Sequence, residues 1–188
     1  MTSVNDLKLL GVYKLDMKTI DFKKILLPHD GSECASMILP HAASLAKTLH
    51  AEIVLLHVTT PYIHEFSYSG LYDIGTPASS GAYSKFLQDM TSKIRETATK
   101  DLEKVKQELI TKGVKKVTSK VLEGYPPEII LYIAQHEKID LIMMSTHGRT
   151  GLKKVLIGSV AEQIIHQATC PVFTVHPNQK DIKKTKRG

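Results

Sequence analysis

The chain has 188 residues, of which 42% are hydrophobic and 23% are charged, and its formal net charge at pH 7 is +6. This length corresponds to one ordinary domain, and the composition is that of globular proteins, which excludes wholesale disorder. No apolar run approaches the roughly 18 residues of a membrane-spanning helix, so we expect no membrane span. The first 22 residues do not resemble a secretory signal, and we therefore expect a cytoplasmic protein.

The positive charge is concentrated at the end of the chain. Residues 178–188 contain five lysine and arginine side chains against one aspartate. The rest of the chain has only a small positive excess, which disfavours a nucleic-acid-binding surface. We expect an N-terminal extension (residues 1–22), one domain (residues 23–177) and a basic tail (residues 178–188). The cysteines and histidines lack the spacing of metal ligands, so no metal centre is predicted.

The first predicted elements are a strand, a turn and a helix. A short apolar run within residues 22–28 indicates a strand, and the turn and cap formers Pro-His-Asp-Gly-Ser follow it at residues 28–32. Residues 33–50 have a helical apolar stripe, although Pro40 should bend the helix or shift its start. Residues 53–58 are apolar on both faces, which is typical of a parallel strand covered by helices.

Residues 59–84 form the longest predicted loop, because they combine prolines and glycines with aromatic residues. These aromatic side chains could close over a ligand or a partner, or they could pack on the body of the domain. A long helix follows from about Phe86 and ends near Gly113. The remaining predicted elements are a strand at 117–121, a helix at 127–135, a strand at 139–145, a helix at 159–167 and a strand at 171–175.

This alternation of strands and helices requires right-handed parallel crossovers and predicts a doubly wound α/β fold, a three-layer sandwich. In such sheets, ligands bind beyond the carboxyl ends of the strands, where the strand order reverses. The loops after the first and fourth strands are therefore the candidate binding loops.

The loop after the fourth strand has the composition of a phosphate site. It reads Ser-Thr-His-Gly-Arg-Thr-Gly at residues 145–151, and Gly158 and Ser159 open the next helix. Glycines let backbone amides approach an anion, and a helix N-terminus favours negative charge. The spacing is neither that of a P-loop nor that of a dinucleotide-binding fingerprint. On spacing alone, these glycines could equally be a turn and a helix cap.

These segments resemble the universal stress protein family. The likeness rests on residues 144–151, 158–162 and 170–172, together with Leu-Pro-His-Asp-Gly-Ser at 27–32, and it extends from residue 22 to about 176. It implies an adenine nucleotide alpha-hydrolase-like fold with a five-stranded parallel sheet in the order 3-2-1-4-5. One branch of the family binds ATP through G-x-x-G-x₉-G-[ST]. Nine residues separate Gly148 from Gly158 here, and Ser145 replaces the first glycine.

The resemblance implies a role for each matching position. Adenine would be contacted by Pro28, Asp30 and the backbone of Val58, ribose by Met144 and Ser145, and phosphate by Gly148, Gly158, Ser159 and Val160. On charge grounds Arg149 is a further phosphate candidate, or else an exposed loop cation. His147 could contact phosphate or anchor the loop, and Asp30 could instead cap the first helix.

We therefore expect an ATP-binding universal stress protein that regulates partners in response to nucleotide. ATP, or AMP or ADP, would bind with Mg²⁺ or Mn²⁺. Hydrolysis should be slow or absent, because no general base other than His147 stands near the phosphate loop. One alternative is a slow ATPase or nucleotidyl transferase that uses His147 and Arg149. Another is an interaction module that binds no nucleotide, which the glycine spacing disfavours.

The last predicted strand, residues 171–175, is expected at the edge of the sheet with an apolar residue at almost every position. An exposed edge invites pairing with another chain. The family resemblance also implies a homodimer, in which the two copies of this strand pair antiparallel about a two-fold axis. Alternatively, the N-terminal extension could cover the edge with its apolar residues Leu9, Leu10, Val12 and Tyr13.

Overall fold

The computed structural model describes residues 21–60, 81–146 and 157–176, and for 81–84 it describes the backbone alone. Strands and helices alternate along these ranges. In chain order they are β1 (Lys24–Pro28), α1 (Glu33–Ser36), α2 (Leu39–Leu49), β2 (Glu52–Thr59), α3 (Gly81–Thr111), β3 (Val117–Glu123), α4 (Pro126–His136), β4 (Leu141–Ser145), α5 (Ser159–Gln167) and β5 (Val172–Val175).

The five strands form one sheet in the order β3-β2-β1-β4-β5. Every pairing is parallel, and Leu26 of the central strand lies opposite Val54 on one side and Ile142 on the other. The predicted strand order is therefore confirmed. The order reverses between β1 and β4, so the carboxyl ends of these two strands flank the switch point of the sheet.

Helices cover both faces of the sheet, because successive strand residues point to opposite sides. Leu27, Leu55 and Met143 pack with buried residues of α2 and α3. Their neighbours Leu26, Leu56 and Met144 pack on the other face with residues of α4 and α5. This arrangement confirms the three-layer sandwich and explains why the central strands carry apolar residues on both faces.

The helix predicted over residues 33–50 is two helices, α1 and α2. Pro40 lies in the first turn of α2, where a helix needs no backbone N–H donor and the fixed φ of proline is already suitable. The proline therefore starts a new helix and does not bend a continuous one. The helix α2 ends at Leu49, and His50 adopts a left-handed φ of 54° as its C-terminal cap.

Both ends of the irregular segment predicted over residues 59–84 belong to regular elements instead. Thr59 is still paired with Glu123 at the end of β2, and its carbonyl accepts a 2.9 Å hydrogen bond from the N–H of Gly124. The helix α3 already begins at Gly81, before the first residue of its apolar stripe. Residues 61–80, with most of the aromatic side chains of the predicted loop, lie outside the described residues.

Candidate functional site

A cleft of about 390 Å³ opens at the carboxyl ends of β1, β2 and β4, beside the first turn of α5. Eight of the residues predicted to bind a nucleotide line it, namely Pro28, Asp30, Val58, Met144, Ser145, Gly158, Ser159 and Val160. The other three, His147, Gly148 and Arg149, lie outside the described residues, and their roles stay predictions. The topology thus brings together residues that are up to 132 positions apart in the sequence.

One side of the cleft is apolar. The side chain of Met144 lies at the end of β4 and packs with Leu56, Val58 and Ile130 on the α4 and α5 face of the sheet. Pro28 closes this side where β1 ends. An apolar wall next to a few polar groups is the usual composition of a small-molecule site, and a flat aromatic ring suits such a wall.

Asp30 organises the turn between β1 and α1. Its Oδ1 accepts a 3.0 Å hydrogen bond from the Ser32 N–H and a 2.6 Å hydrogen bond from the Ser32 hydroxyl. The Ser32 Oγ in turn accepts the N–H of Ala35 at 3.1 Å and caps α1. The alternative in which Asp30 itself caps the first helix is therefore wrong, because Ser32 stands at the cap position and Asp30 supports it.

His29 is buried between the same turn and α1, with 4% of its surface exposed. Its Nδ1 accepts a 3.1 Å hydrogen bond from the N–H of Gly31, a residue with a positive φ of 84°. Its Nε2 lies 3.1 Å from the Ser36 Oγ. Burial lowers the pKa of His29, so the ring is neutral at pH 7.

The polar side of the cleft is built around Thr146, which follows β4. The carbonyl oxygen of Thr146 accepts the N–H of Gly158 at 2.7 Å, and its own N–H donates to the Val175 carbonyl at 3.0 Å. Its hydroxyl lies 2.9 Å from Nδ1 of His176. Thr146 therefore holds together the end of β4, the start of α5 and the end of β5.

The first turn of α5 opens on this polar side. Gly158 is the residue before the helix, with φ −73° and ψ 151°, and within the described ranges no side chain caps the helix start. The contrast with α1, which Ser32 caps, is direct. The N–H groups of a first helical turn have no partner within the helix, and together with the helix dipole they favour an anion at this position.

Several residues that line the cleft were not anticipated from the sequence. They are His29, Ala35, Leu56, His57, Thr60, Pro126, Ile130, Thr146 and Ala161. Their common signal is position, since most of them stand at or just beyond the carboxyl ends of strands, or in the first turn of a helix that faces those ends. Sequence reasoning that treats every residue after a strand as a candidate would have found His29, Thr60 and Thr146.

Two further observations concern the described residues. Among residues 21–60, 81–146 and 157–176, no three histidine, cysteine or acidic side chains are grouped as metal ligands. In the same ranges, no helix is both long enough and apolar enough to cross a membrane.

The model of the universal stress protein family matches residues 21–176 of the chain. Two proteins of Methanocaldococcus jannaschii are similar to it. Universal stress protein MJ0577 is 36% identical over 160 residues, which are 84% of this chain and 96% of that protein. Universal stress protein MJ0531 is 35% identical over 162 residues, which are 85% of each chain.

Solved structures agree with the fold. The structure of MJ0577 superposes with a TM-score of 0.71 at 33% sequence identity, covering 85% of this chain and 99% of that one. A family protein of Arabidopsis thaliana, solved with AMP bound, has a TM-score of 0.54 at 18% identity, with coverages of 85% and 94%. A universal stress protein in complex with cAMP has a TM-score of 0.52 at 16% identity, with coverages of 84% and 98%.

Proposed function

The chain belongs to the universal stress protein family, and from this premise we propose that it is a regulatory protein that binds ATP in the cleft between β1 and β4. The observation that carries the proposal is the division of the cleft into an apolar wall and a helix start that no described side chain caps. A nucleotide has the same division, with a flat base at one end and an anionic chain at the other.

The base would lie against the apolar wall. It would contact the apolar surface of Pro28, Val58 and Met144, and the Asp30 turn lies at the rim of the cleft. The two hydrogen bonds that Asp30 accepts from Ser32 fix the direction of the carboxylate. A fixed acceptor can accept a hydrogen bond from the 6-amino group of adenine, whereas guanine has a carbonyl oxygen at that position, and for this reason we propose adenine over guanine.

The phosphates would lie at the start of α5. The first-turn amides of Ser159 and Val160 and the Ser159 hydroxyl would supply donors, and the helix N-terminus would supply a positive dipole. Gly158 presents no side chain to this region, so a phosphate can approach the backbone closely. Gly148, Arg149 and His147 remain proposed phosphate contacts.

A divalent cation would accompany the triphosphate. Amides and one arginine do not neutralise its charge, and Mg²⁺ is commonly held by phosphate oxygens and water with few protein ligands. We propose Mg²⁺ or Mn²⁺ bound through the nucleotide, which fits a cleft whose described residues include no group of metal-binding side chains.

The proposal includes slow or absent hydrolysis. Both ring nitrogens of His29 are engaged by Gly31 and Ser36, and Oδ1 of Asp30 already accepts two hydrogen bonds from Ser32. These groups are poorly suited to take a proton from an attacking water. The competing enzymatic function, a slow ATPase or nucleotidyl transferase, would depend on His147 and Arg149.

Regulation would act through the C-terminal strand. A phosphate held at Gly158 is connected through Thr146 to the end of β5, which is an edge strand of the sheet. We propose that two copies of β5 pair in a homodimer, and that nucleotide alters this contact or a partner contact. A cytoplasmic location and the division into residues 1–22, 23–177 and 178–188 are part of the same proposal.

The deciding experiment is identification of the ligand carried by the purified protein. Mass spectrometry of the supernatant after denaturation should detect an adenine nucleotide. Calorimetry on nucleotide-stripped protein should then give binding of ATP that strengthens with Mg²⁺ or Mn²⁺, weaker binding of AMP and none of GTP.

Three results would change the proposal. An absence of heat with ATP, with or without metal, would favour the interaction module that binds no nucleotide. Equal binding of GTP would contradict the role of the Asp30 turn in selecting adenine. Phosphate release at more than about one turnover per second would place the protein in the ordinary enzyme range and support the enzymatic alternative.

A further inference from the structure

This inference deepens the proposed function and rests on it. The imidazole of His29 connects three parts of the β1–α1 turn through hydrogen bonds. The Gly31 N–H donates to Nδ1, and Nε2 lies at hydrogen-bond distance from the Ser36 hydroxyl of α1. The Ser36 hydroxyl donates onward to the Ser32 carbonyl at 3.2 Å. Asp30, at the rim of the cleft, lies between His29 and Gly31, the two residues that the first of these hydrogen bonds joins.

The hydrogen bonds determine which nitrogen of His29 carries the proton. A backbone N–H can only donate, so Nδ1 must accept and must be unprotonated. The Ser36 hydroxyl gives its proton to Ser32, so its lone pair is available to accept from Nε2. The ring is therefore the neutral tautomer with its proton on Nε2.

A second proton on this ring would disrupt the turn. Protonated Nδ1 would point its N–H at the N–H of Gly31, which places two donors against each other 3.1 Å apart. Either the ring of His29 or the amide of Gly31 must move, and Asp30 lies between these two residues in the chain. The same change adds a positive charge to a side chain that is 4% exposed.

The charged and titratable groups around His29 come from three elements. Asp30 follows it in the turn and favours the protonated ring, whereas His57 of β2 opposes it. Asp101 and Glu108 of α3 favour protonation more weakly, and burial, the largest influence, lowers the pKa. The balance keeps the ring neutral at pH 7, so it takes up a proton only at a lower pH than an ordinary imidazole.

We propose that His29 is a positioning residue for the nucleotide site: as a neutral, Nε2-protonated ring it holds the Asp30 turn in its binding conformation, and its protonation releases that turn and weakens nucleotide binding. His29 does not contact the base in this mechanism. It acts through Gly31 and Asp30, and it makes the affinity for nucleotide fall in acid.

Two substitutions of His29 separate the role of Nδ1 as a hydrogen-bond acceptor from the effect of protonating the ring. His29→Asn keeps an oxygen near the position of Nδ1 that can accept the Gly31 N–H, and this oxygen does not titrate in the range of imidazole. His29→Leu removes both contacts at similar volume. We expect His29→Leu to weaken ATP binding about tenfold at pH 7.5, in keeping with the loss of one to two hydrogen bonds, and His29→Asn to restore most of it.

The pH dependence of the Kd for ATP is a readout that a purely structural role of His29 would not change. Nucleotide phosphates titrate too, but they affect parent and variant equally, so the ratio of their Kd values isolates the protein. Between pH 7.5 and 4.5 we expect the Kd of the parent to rise at least about threefold relative to that of His29→Asn. His166→Gln, at an exposed histidine of α5, is the control and should follow the parent.

Nitrogen chemical shifts of the His29 ring, measured by NMR in the free protein, test the tautomer without any ligand. A proton on Nε2 at pH 7, with the expected Kd ratio, supports the proposal. A proton on Nδ1, a ratio that does not change with pH, or full affinity in His29→Leu would overturn it. If the parent binds no adenine nucleotide at pH 7.5, the proposed function itself fails; if it binds with a constant ratio, only this inference fails.

Discussion

The backbone N–H of Gly158 donates a 2.7 Å hydrogen bond to the carbonyl oxygen of Thr146, and this contact joins the two sides of the glycine-rich segment between β4 and α5. Twelve positions apart in the sequence, the two residues both line the cleft. Thr146 is also hydrogen-bonded to Val175 at the end of β5 and to His176, the next residue. Thr146 therefore connects the cleft with the C-terminal edge strand.

Gly158 provides the first test. We expect Gly158→Val to abolish measurable ATP binding, because a branched side chain would occupy the space where a phosphate meets the first turn of α5. Its φ of −73° and ψ of 151° are extended values that any residue adopts, so the fold should persist. Calorimetry measures the binding and thermal unfolding checks the fold. Gly158→Ala, with a smaller side chain, should retain weak binding, and unchanged affinity in Gly158→Val would locate the phosphates elsewhere.

Thr146 provides the second test. Replacing it with Val keeps the shape and the backbone but removes the hydroxyl that lies 2.9 Å from His176. We expect the free energy of unfolding to fall by about 1 kcal/mol, the usual net value of one hydrogen bond. Thr146→Ser keeps the hydroxyl and serves as the matched control in urea denaturation. A loss in Thr146→Ser with none in Thr146→Val would show that the methyl group, and not the hydroxyl, is responsible.

The edge strand β5 provides the third test, for the proposed homodimer. The carbonyls of Pro171 and Val175 accept hydrogen bonds from β4, so by the alternation of a parallel strand the N–H of Thr174 faces away from β4. Proline is tolerated on an edge strand when its missing N–H lies on the open side. Thr174→Pro should therefore leave the sheet intact and remove a donor from the dimer contact.

Light scattering should give a dimer for the parent and for the control Thr174→Val, and a monomer for Thr174→Pro. The proposed dimer should not require ATP. A full-length parent that is monomeric, and that dimerises once residues 1–20 are removed, would instead favour the alternative in which the N-terminal extension covers β5.

Glu137, which follows α4, provides the fourth test. It is hydrogen-bonded to Lys120 of β3 and pairs with Lys24 of β1 at 3.4 Å. The hydrogen bond from Lys120 is the largest influence on the pKa of Glu137 and lowers it below the ordinary value of 4.5. A carboxyl with a lowered pKa in the folded state stabilises the protein above its unfolded pKa, and this stability is lost as the pH falls through the folded pKa.

We therefore expect the unfolding free energy of the parent to fall between pH 6 and 3, and to fall less steeply in Glu137→Gln. At pH 7 the variant should be the less stable of the two. Chemical denaturation at a series of pH values measures this difference. Glu128→Gln, at an exposed position of α4, is the control and should follow the slope of the parent; a parallel slope for Glu137→Gln would contradict the assignment.

The order of elements and the class of the fold were predictable from local patterns. Strands such as β2 are apolar on both faces because they are covered by helices on both sides, and that pattern is visible in the sequence without any long-range information. The bounds of α5, Ser159–Gln167, were predicted correctly because a glycine precedes the helix and an apolar stripe runs through it. The resemblance of short motifs then supplied the strand order, which the sheet confirms.

Competing local signals were not resolved by the sequence. Both Asp30 and Ser32 are good helix caps, and the choice between them depends on the left-handed φ of Gly31, which brings Ser32 to the helix start. Pro40 was compatible with a bend or with a new helix. The structure places the break between α1 and α2 at Met37 and Ile38, with buried residues on each side of it, Ala35 and Leu39 among them.

The sequence by itself determined which residues could end a strand, open a helix or contact an anion, because these preferences depend on near neighbours. Only the tertiary structure decided the roles of His29 and Thr146. The hydrogen bonds of His29 depend on the path of the turn through Gly31 to Ser36, and those of Thr146 depend on β5, which is about thirty residues away. A hydrogen bond needs two groups within about 3 Å, and for distant residues the packing of the sheet sets that separation.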